Sequence, residues 1–282
     1  MKNKPTIGLV MKSLQAEFFQ EMKKGALEFA GKHDGFELIV VGTSNQTEIE
    51  FQIKLVDLLI EDNVDAIVIV PIDSKALVPV VVKAVRAGIK VINIDIKLDD
   101  QLLRENNIEL TFVGPDNENA AYTVGNVMAE KLHKGANVVL IEGLVVAENA
   151  QERKRGFLKT IADYQLNLIA SEAADWETDK AEKVFEEILA QYQDIEGVMC
   201  CNDAMALGVL KVLEKNDKAG KILVVGFDND ASVRPLIQSG KMIATIDAFG
   251  SQMAVHGIEY ALKVLGGMEN KGLHYTKFEL VK

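Results

Sequence analysis

Polar side chains follow several short apolar runs of the chain, at the points where these runs end. Asp95 follows VINI, Asn202 follows VMCC, and Asp228 follows VVGF. Runs of this length are typical of buried strands, and open parallel sheets bind ligands outside the carboxyl ends of their strands. We therefore expect Asn202 and Asp228 to point into the same crevice and to offer hydrogen bonds to a polar ligand.

The same acidic residues also fit a catalytic interpretation. Two carboxylates can act as acid and base on a glycosidic bond, and Asp95 and Asp228 are residues of that type. Carboxylates at strand ends bind the hydroxyls of a sugar equally well, because each accepts several hydrogen bonds. We favour binding and predict no catalytic residues.

Motifs of nucleotide, redox and acyl-transfer chemistry are absent from the sequence. No GxGxxG follows the first apolar run, and GxxxxGK[ST], GxSxG and CxxC do not occur. The four histidines are scattered, and the two cysteines are neighbours, Cys200 and Cys201. Adjacent strand residues point to opposite faces, so we expect two buried thiols rather than a disulfide. The sequence thus predicts neither a cofactor nor a metal site.

The charge balance argues against one class of partner. The 282 residues carry a formal net charge of −11, whereas nucleic-acid binding requires clustered Lys and Arg. The apolar runs have the length of strands rather than of membrane spans, and the first residues lack the apolar core of a signal peptide. We expect no nucleic-acid partner, and an export signal that is absent from the given sequence.

Short apolar runs alternate with helical periodicity in the first third of the chain. The runs predict strands at residues 5–11, 36–41, 66–70 and 91–94. The segments between them predict helices at 17–29, 48–60 and 77–85. This order predicts a parallel sheet with helices on both faces. Residues 97–110 are polar and are expected to be irregular, and 112–115 are expected to form a crossover.

The pattern restarts after residue 115. It predicts helices and strands in alternation up to 222–225, then a strand at 243–246, a helix at 252–265 and a final strand at 275–281. The strand–helix–strand phrase that ends at Asp95 parallels the one that ends at Asp228. The predicted fold class is α/β, with two similar doubly wound parallel-sheet lobes whose strand ends face each other across a ligand cleft.

Seven segments carry a resemblance to a known family: IGLVMKSLQAEFFQEMKKGA, DAIVIVPIDSKAL, VINIDI, QERKRGF, MCCNDAMALGVL, VVGFDND and GKMIATI. With them the chain resembles the periplasmic sugar-binding proteins of ABC transporters, of the ribose-binding-protein type, over essentially its whole length. The resemblance implies a hinge of three chain segments. It places residues 1–114 and 248–275 in the amino-terminal lobe, and 115–247 and 276–282 in the carboxy-terminal lobe.

The resemblance also implies the residues that contact the ligand. Phe18, Phe19 and Trp176 match aromatic positions that flank the sugar, and aromatic faces suit the C–H groups of a sugar ring. The polar positions that bind hydroxyls are matched by Asp95, Asn202 and Asp228. Plain core packing for the phenylalanines, and a half-buried surface anchor for Trp176, remain open alternatives. Asp203 is expected to cap a helix.

Several positions depart from the family's pattern. Ile96 stands where ribose binders carry Arg, and Gln151 aligns with their second ligand Arg, with Arg153 and Arg155 close by. A hinge-proximal Gln is replaced by Ala248, beside Asp247, and a first-loop Ser becomes Lys12. We include Lys12, Gln151, Arg153 and Asp247 among the expected ligand-binding residues. Because Arg forks recognise oxygen patterns specifically, these changes disfavour ribose itself.

The resemblance implies a non-enzymatic solute-binding protein of an ABC importer. We expect a monosaccharide or polyol as ligand, including a cyclic one such as an inositol, while Lys12 leaves an acidic sugar open. Closure about the hinge would present the ligand to the membrane permease. A monomeric, periplasmic or lipid-anchored extracytoplasmic protein is expected. The alternatives are the sensing domain of a chemoreceptor, of a two-component system or of a LacI-type regulator, and, less favoured, a sugar-processing enzyme.

Overall fold

Apolar runs that are buried along their whole length form the central strands of the protein. The computed structural model describes residues 4–282, and the chain divides into two units. Unit 1 comprises the chain up to Pro115, Val146–Glu148 and Phe249–Thr276, and unit 2 comprises Asp116–Val145, Asn149–Ala248 and Lys277–Lys282. The sequence-based boundaries fall after residues 114, 247 and 275 and do not separate residues 146–148.

Unit 1 is built on a single parallel sheet. Its elements are β1 (Thr6–Met11), α1 (Glu17–Lys32), β2 (Glu37–Gly42), α2 (Ile49–Glu61), β3 (Ala66–Ile69), α3 (Val78–Arg86), β4 (Lys90–Ile94), α4 (Asp100–Glu105), β5 (Thr111–Pro115), α10 (Gly250–Leu265) and β11 (Gly272–Thr276). The strand order is β11-β5-β4-β3-β1-β2, with parallel neighbours. All four residues of β3 are buried, as expected for a parallel strand covered on both faces.

Unit 2 repeats this architecture with a smaller parallel sheet and an added antiparallel pair. Its elements are α5 (Asn117–Ala129), β6 (Asn137–Glu142), α6 (Glu148–Asp163, with Glu148 itself in unit 1), β7 (Asn167–Ala173), α7 (Thr178–Gln191), β8 (Gly197–Cys200), α8 (Asp203–Lys215), β9 (Leu223–Val225), α9 (Arg234–Gln238), β10 (Thr245–Asp247) and β12 (Glu279–Val281). The strand order is β7-β6-β8-β9, and β10 pairs antiparallel with β12. Phe157, Phe185 and Phe227 are fully buried and fill its core.

Three segments differ from the sequence-based expectation. The predicted crossover at 112–115 is part of β5, which pairs with both β4 and β11. The predicted irregular stretch contains α4, which begins after Asp99, a cap whose carboxylate accepts a hydrogen bond from the Leu102 N–H. The predicted final strand at 275–281 is divided between β11 and β12, which lie in different sheets. The pairing of β11 with β5 and of β12 with β10 joins segments distant in sequence, so local periodicity does not reveal it.

Candidate ligand-binding residues

Arg153 is at the centre of the polar group in unit 2. Its side chain is 3 % exposed; Nε donates to Asn117 Oδ1 at 2.9 Å, and Nη1 donates to the Cys201 carbonyl at 2.8 Å and to Asp228 Oδ1 at 3.3 Å. The guanidinium carbon lies 3.5 Å from the centroid of the Phe227 ring, a cation–π distance. Helix α6 therefore holds one fixed cation against the strand ends of the sheet.

The strand ends that the sequence singled out are joined by this cation. Asn202 follows β8 and Asp228 lies three residues beyond β9, and Arg153 bonds both the carbonyl before Asn202 and the Asp228 carboxylate. Asn202 is also the cap of α8, because its Oδ1 accepts the Met205 N–H at 2.9 Å. The structure thus places Arg153 against the Asp228 carboxylate and against the backbone that precedes Asn202.

Asp203 is not the cap that the sequence predicted; it is the first helical residue, and Asn202 is the cap. Its buried carboxylate accepts hydrogen bonds from the Thr245 hydroxyl, at 2.8 and 3.0 Å, and from the Asp230 N–H at 3.0 Å. Burial raises the pKa of Asp203 well above its usual range, and the nearby carboxylates of Asp230 and Asp228 raise it further. Asp203 ties the loop that carries Asp228 to β10.

Trp176 lies near the same cation. It is 2 % exposed, and its ring centroid is 5.5 Å from the Arg153 guanidinium carbon. Its backbone has a φ of 70°, and Asp228 and Asp95 also have positive φ, of 117° and 63°. Non-glycine residues seldom adopt such angles, and they occur disproportionately at functional sites. The surface-anchor alternative for Trp176 does not fit its burial.

The side chains of Gln151 and Asp247 form hydrogen bonds away from Arg153. Gln151 Nε2 donates to the Val145 carbonyl at 2.8 Å, whereas Asp247 Oδ2 accepts from Asn229 Nδ2 at 2.8 Å. Gln151 and Arg153 are two positions apart on α6, so they lie on different faces of the helix. Of these two, Arg153 faces Asp228, so the structure does not join Gln151 to that group through its side-chain amide.

Lys12 packs beside two phenylalanines, Phe18 and Phe19, in unit 1. Lys12 follows β1, and its Nζ lies 5.4 Å from the centroid of the Phe19 ring. The Phe18 and Phe19 rings meet edge to face with centroids 5.2 Å apart. Lys12, Phe18 and Phe19 are 3, 9 and 3 % exposed. Lys12 is therefore a buried cation beside an aromatic face.

The turn that carries Asp95 is shaped by a buried residue that sequence reasoning missed. Asn93 Nδ2 donates to the Ile96 carbonyl at 2.7 Å, and Asn93 Oδ1 accepts the Leu98 N–H at 2.8 Å. Asp95 itself is 2 % exposed, and its N–H donates to the Val113 carbonyl at 3.0 Å. The sequence signal for Asn93 was a polar residue inside an apolar strand. Asn117, which is completely buried, had no comparable signal.

The buried cysteines have the character expected of core residues. Burial raises the pKa of Cys201 to about 12 and also raises that of Cys200, so both are thiols at neutral pH. Within residues 4–282, no group of three His, Cys, Asp or Glu side chains is placed to hold a metal ion. In the same range, no helix is long and apolar enough to cross a membrane.

Each of these groups offers contacts that a small polyhydroxylated molecule can use. Carboxylates and amide oxygens accept hydrogen bonds from hydroxyls, guanidinium and ammonium groups donate them, and aromatic faces pack against C–H groups. Two α/β units with such groups beyond their strand ends define a binding protein for a small polar solute.

Comparison with known proteins identifies the family. A family model described as a periplasmic binding protein domain matches residues 7–269. The chain belongs to this periplasmic binding protein family. The D-ribose/D-allose-binding protein of Pseudomonas aeruginosa is 41% identical, over 99% of this chain and 89% of its own length. The ribose import binding protein of Escherichia coli is 32% identical, over 99% and 90%.

Solved structures that resemble this protein are also solute-binding proteins of ABC transporters. A solute-binding protein of an ABC transporter from Burkholderia multivorans superposes with a TM-score of 0.96 at 40% identity, covering 99% of this chain and 100% of that one. A second, from Actinobacillus succinogenes with bound D-allose, gives 0.93 at 36%, covering 99% and 97%. The predicted family and the two-lobe α/β fold class are confirmed. These relatives are solute-binding proteins of transporters and not enzymes, which confirms the non-enzymatic prediction.

Proposed function

We propose that this protein delivers an aldose of the ribose or allose type to the permease of an ABC importer. The observation that carries the proposal is the buried group of Arg153, Asp228 and Asn202 beside Trp176. It combines a fixed donor, acceptors and an aromatic face in the way a sugar requires. Relatives above 30% identity that are named for ribose and allose support the ligand class.

The ligand contacts are proposed to come from both units, as the family resemblance implies. Unit 1 would contribute Lys12, Phe18, Phe19 and Asp95, and unit 2 would contribute Gln151, Arg153, Trp176, Asn202, Asp228 and Asp247. A ligand that contacts both units stabilises the closed state through its additional contacts there. We further propose that the protein acts as a monomer outside the cytoplasmic membrane, where the periplasmic relatives function.

The set of donors separates this protein from a ribose-only receptor. Ile96 provides no side-chain donor where ribose binders carry Arg, while Lys12 adds an ammonium donor where they carry Ser. A hexose offers one more hydroxyl than a pentose, and the ammonium group of Lys12 would donate to it. We therefore place allose ahead of ribose as the ligand.

The deciding experiment is a thermal-shift screen of the purified protein, followed by calorimetry on each hit. The panel holds D-allose, D-ribose, other pentoses and hexoses, inositols, linear polyols and sugar acids. A ligand that binds only the folded state raises the melting temperature by mass action. Stabilisation by allose or ribose without turnover supports the proposal. Stabilisation by polyols or sugar acids alone replaces the aldose with that class, and no response to any compound overturns sugar binding.

A further inference from the structure

Gly143 and Trp176 come from neighbouring strands of the unit 2 sheet. Gly143 directly follows β6, and Trp176 lies three residues beyond β7, which is parallel to β6 and pairs with it up to Glu142 and Ala173. The Ala174 N–H continues this ladder by donating to the Glu142 carbonyl at 2.9 Å. Both residues therefore lie just beyond the carboxyl ends of adjacent strands.

The indole of Trp176 occupies the place that a side chain at position 143 would take. A Cβ atom built on Gly143 would lie 2.2 Å from Cη2, 2.3 Å from Cζ2 and 2.4 Å from Cζ3 of Trp176. These three carbons form the outer edge of the six-membered ring. Ordinary carbon contacts are about 3.5–4.0 Å, so any other residue at 143 would force the ring to move by more than an ångström.

The backbone does not itself require glycine at this position. Gly143 is not among the glycines with positive φ, so alanine is compatible with its backbone conformation. A side chain is therefore excluded at position 143 because the Trp176 indole occupies the space that it would need. Trp176 has little freedom to adjust, because it is 2 % exposed and its φ is 70°.

We propose that Gly143 is a positioning residue of the binding site, whose missing side chain sets where the aromatic face of Trp176 is presented to the ligand. The indole is held against Gly143 and beside Arg153, whose guanidinium carbon lies 5.5 Å from the ring centroid. A displaced indole changes its relation both to that cation and to the ligand. The effect on affinity rests on the proposed function, whereas the effect on the ring does not.

The test is a set of four proteins: the parent, Gly143→Ala, Trp176→Phe and the double substitution. A phenyl ring lacks the outer carbons of the indole, so it leaves room for the alanine methyl. When Trp176 is present, the methyl group of Gly143→Ala overpacks the space that the indole occupies. This single substitution should therefore lower the affinity for the best ligand of the parent by about tenfold. In the Trp176→Phe background, the same alanine should cost less than about twofold. Gly35→Ala is the matched control, because a Cβ there would meet nothing within 4 Å.

A second readout needs no ligand. Trp176 is the only tryptophan of the chain, so intrinsic tryptophan fluorescence reports its surroundings alone. Gly143→Ala should shift the emission to longer wavelength and increase quenching by acrylamide, while Gly35→Ala should match the parent. Thermal unfolding of all four proteins should show that Gly143→Ala destabilises the parent but not the Trp176→Phe variant. The fluorescence and unfolding measurements test the packing of Gly143 against Trp176 even if no sugar binds the parent.

The outcomes are distinct. Equal costs of Gly143→Ala in the parent and in the Trp176→Phe variant, or fluorescence of Gly143→Ala identical to that of the parent, would overturn the proposal. If Gly143→Ala alone does not fold, folding of the double variant supports the proposal and its failure to fold overturns it. A coupling seen in stability and fluorescence, with no sugar bound by any variant, would retain the packing role and reject the proposed ligand class.

Discussion

Arg153 Nη1 lies 3.3 Å from Asp228 Oδ1, and the two side chains are only 3 % and 9 % exposed. A buried ion pair is stable only when its remaining hydrogen-bonding groups are also satisfied. Here Asn117 and the Cys201 carbonyl accept from the same guanidinium. The pair therefore fixes the direction of the Asp228 carboxylate at a strand end where a ligand is proposed to bind.

Arg153 should be needed for the stability of the fold, and Asp228 for ligand affinity. Arg153→Ala leaves a buried carboxylate without its cation, and we expect a loss of about 3–5 kcal/mol in the free energy of unfolding. Asp228→Asn should instead lower ligand affinity by about ten- to over a hundredfold, the equivalent of about 1.5–3 kcal/mol. Urea unfolding and calorimetry measure the two effects. If Asp228→Asn and Asp228→Ala both bind as the parent does, Asp228 is not a ligand residue.

Asn117 should affect binding through Arg153. Its Oδ1 accepts the Arg153 Nε–H at 2.9 Å, and its Nδ2 donates to Glu152 Oε2 at 3.0 Å. Asn117→Ala removes both bonds, and loss of a buried partner costs about 1–3 kcal/mol. We expect lower stability and weaker binding. Asn117→Asp keeps an acceptor for Arg153 and should restore binding in part, but its second oxygen faces the Glu152 carboxylate, so it should not restore stability. An equal effect of the two substitutions on calorimetric affinity would contradict this role.

Asp203 should make stability depend on pH. Its folded pKa is raised, mainly by burial, so the folded state retains a proton that the unfolded state releases above about pH 3.9. The stability that this proton contributes is complete below the unfolded pKa and is lost as the pH rises through the folded pKa.

Asp203→Asn removes this titration while keeping an amide that can bond Thr245 and the Asp230 N–H. The stability of the variant relative to the parent should therefore rise with pH, by at most about 1.4 kcal/mol per pH unit. Urea unfolding over a pH series measures the difference, with Asp34→Asn, at an exposed turn, as the control for simple loss of charge. A difference that stays constant with pH would refute the assignment.

Lys12 should contribute to affinity by its charge and its donor. Its Nζ lies 5.4 Å from the Phe19 ring centroid in a largely buried position. Lys12→Met keeps the aliphatic stem and removes the ammonium group, and we expect about tenfold weaker binding of a neutral aldose. A much larger loss for a sugar acid than for the aldose, measured by calorimetry on both, would indicate that Lys12 selects an anionic ligand instead.

The single tryptophan should report ligand binding directly. Trp176 is buried near Arg153, so a sugar that packs on the indole changes its emission. Titration with the best ligand should give a saturable change whose midpoint equals the calorimetric Kd. Saturable calorimetric binding with unchanged fluorescence would place the ligand away from Trp176.

Part of the candidate site could be predicted because strand ends are encoded locally. Apolar runs ending in Asp95, Asn202 and Asp228 marked positions that the structure places beyond β4, β8 and β9. Which of Gln151 and Arg153 faces Asp228 depends on the face of the helix. The buried residues of α6 include Ala150, Arg153, Phe157 and Ile161, at spacings of three and four, and this periodicity could have favoured Arg153.

The sequence by itself determined the alternation of strands and helices, the family, and the residue types at the strand ends, because burial and periodicity are properties of neighbouring residues. Only the tertiary structure decided that β11 pairs with β5 from the far end of the chain. It also decided that the Trp176 indole fills the space beside Gly143. Such contacts depend on packing between segments distant in sequence, and no local pattern encodes them.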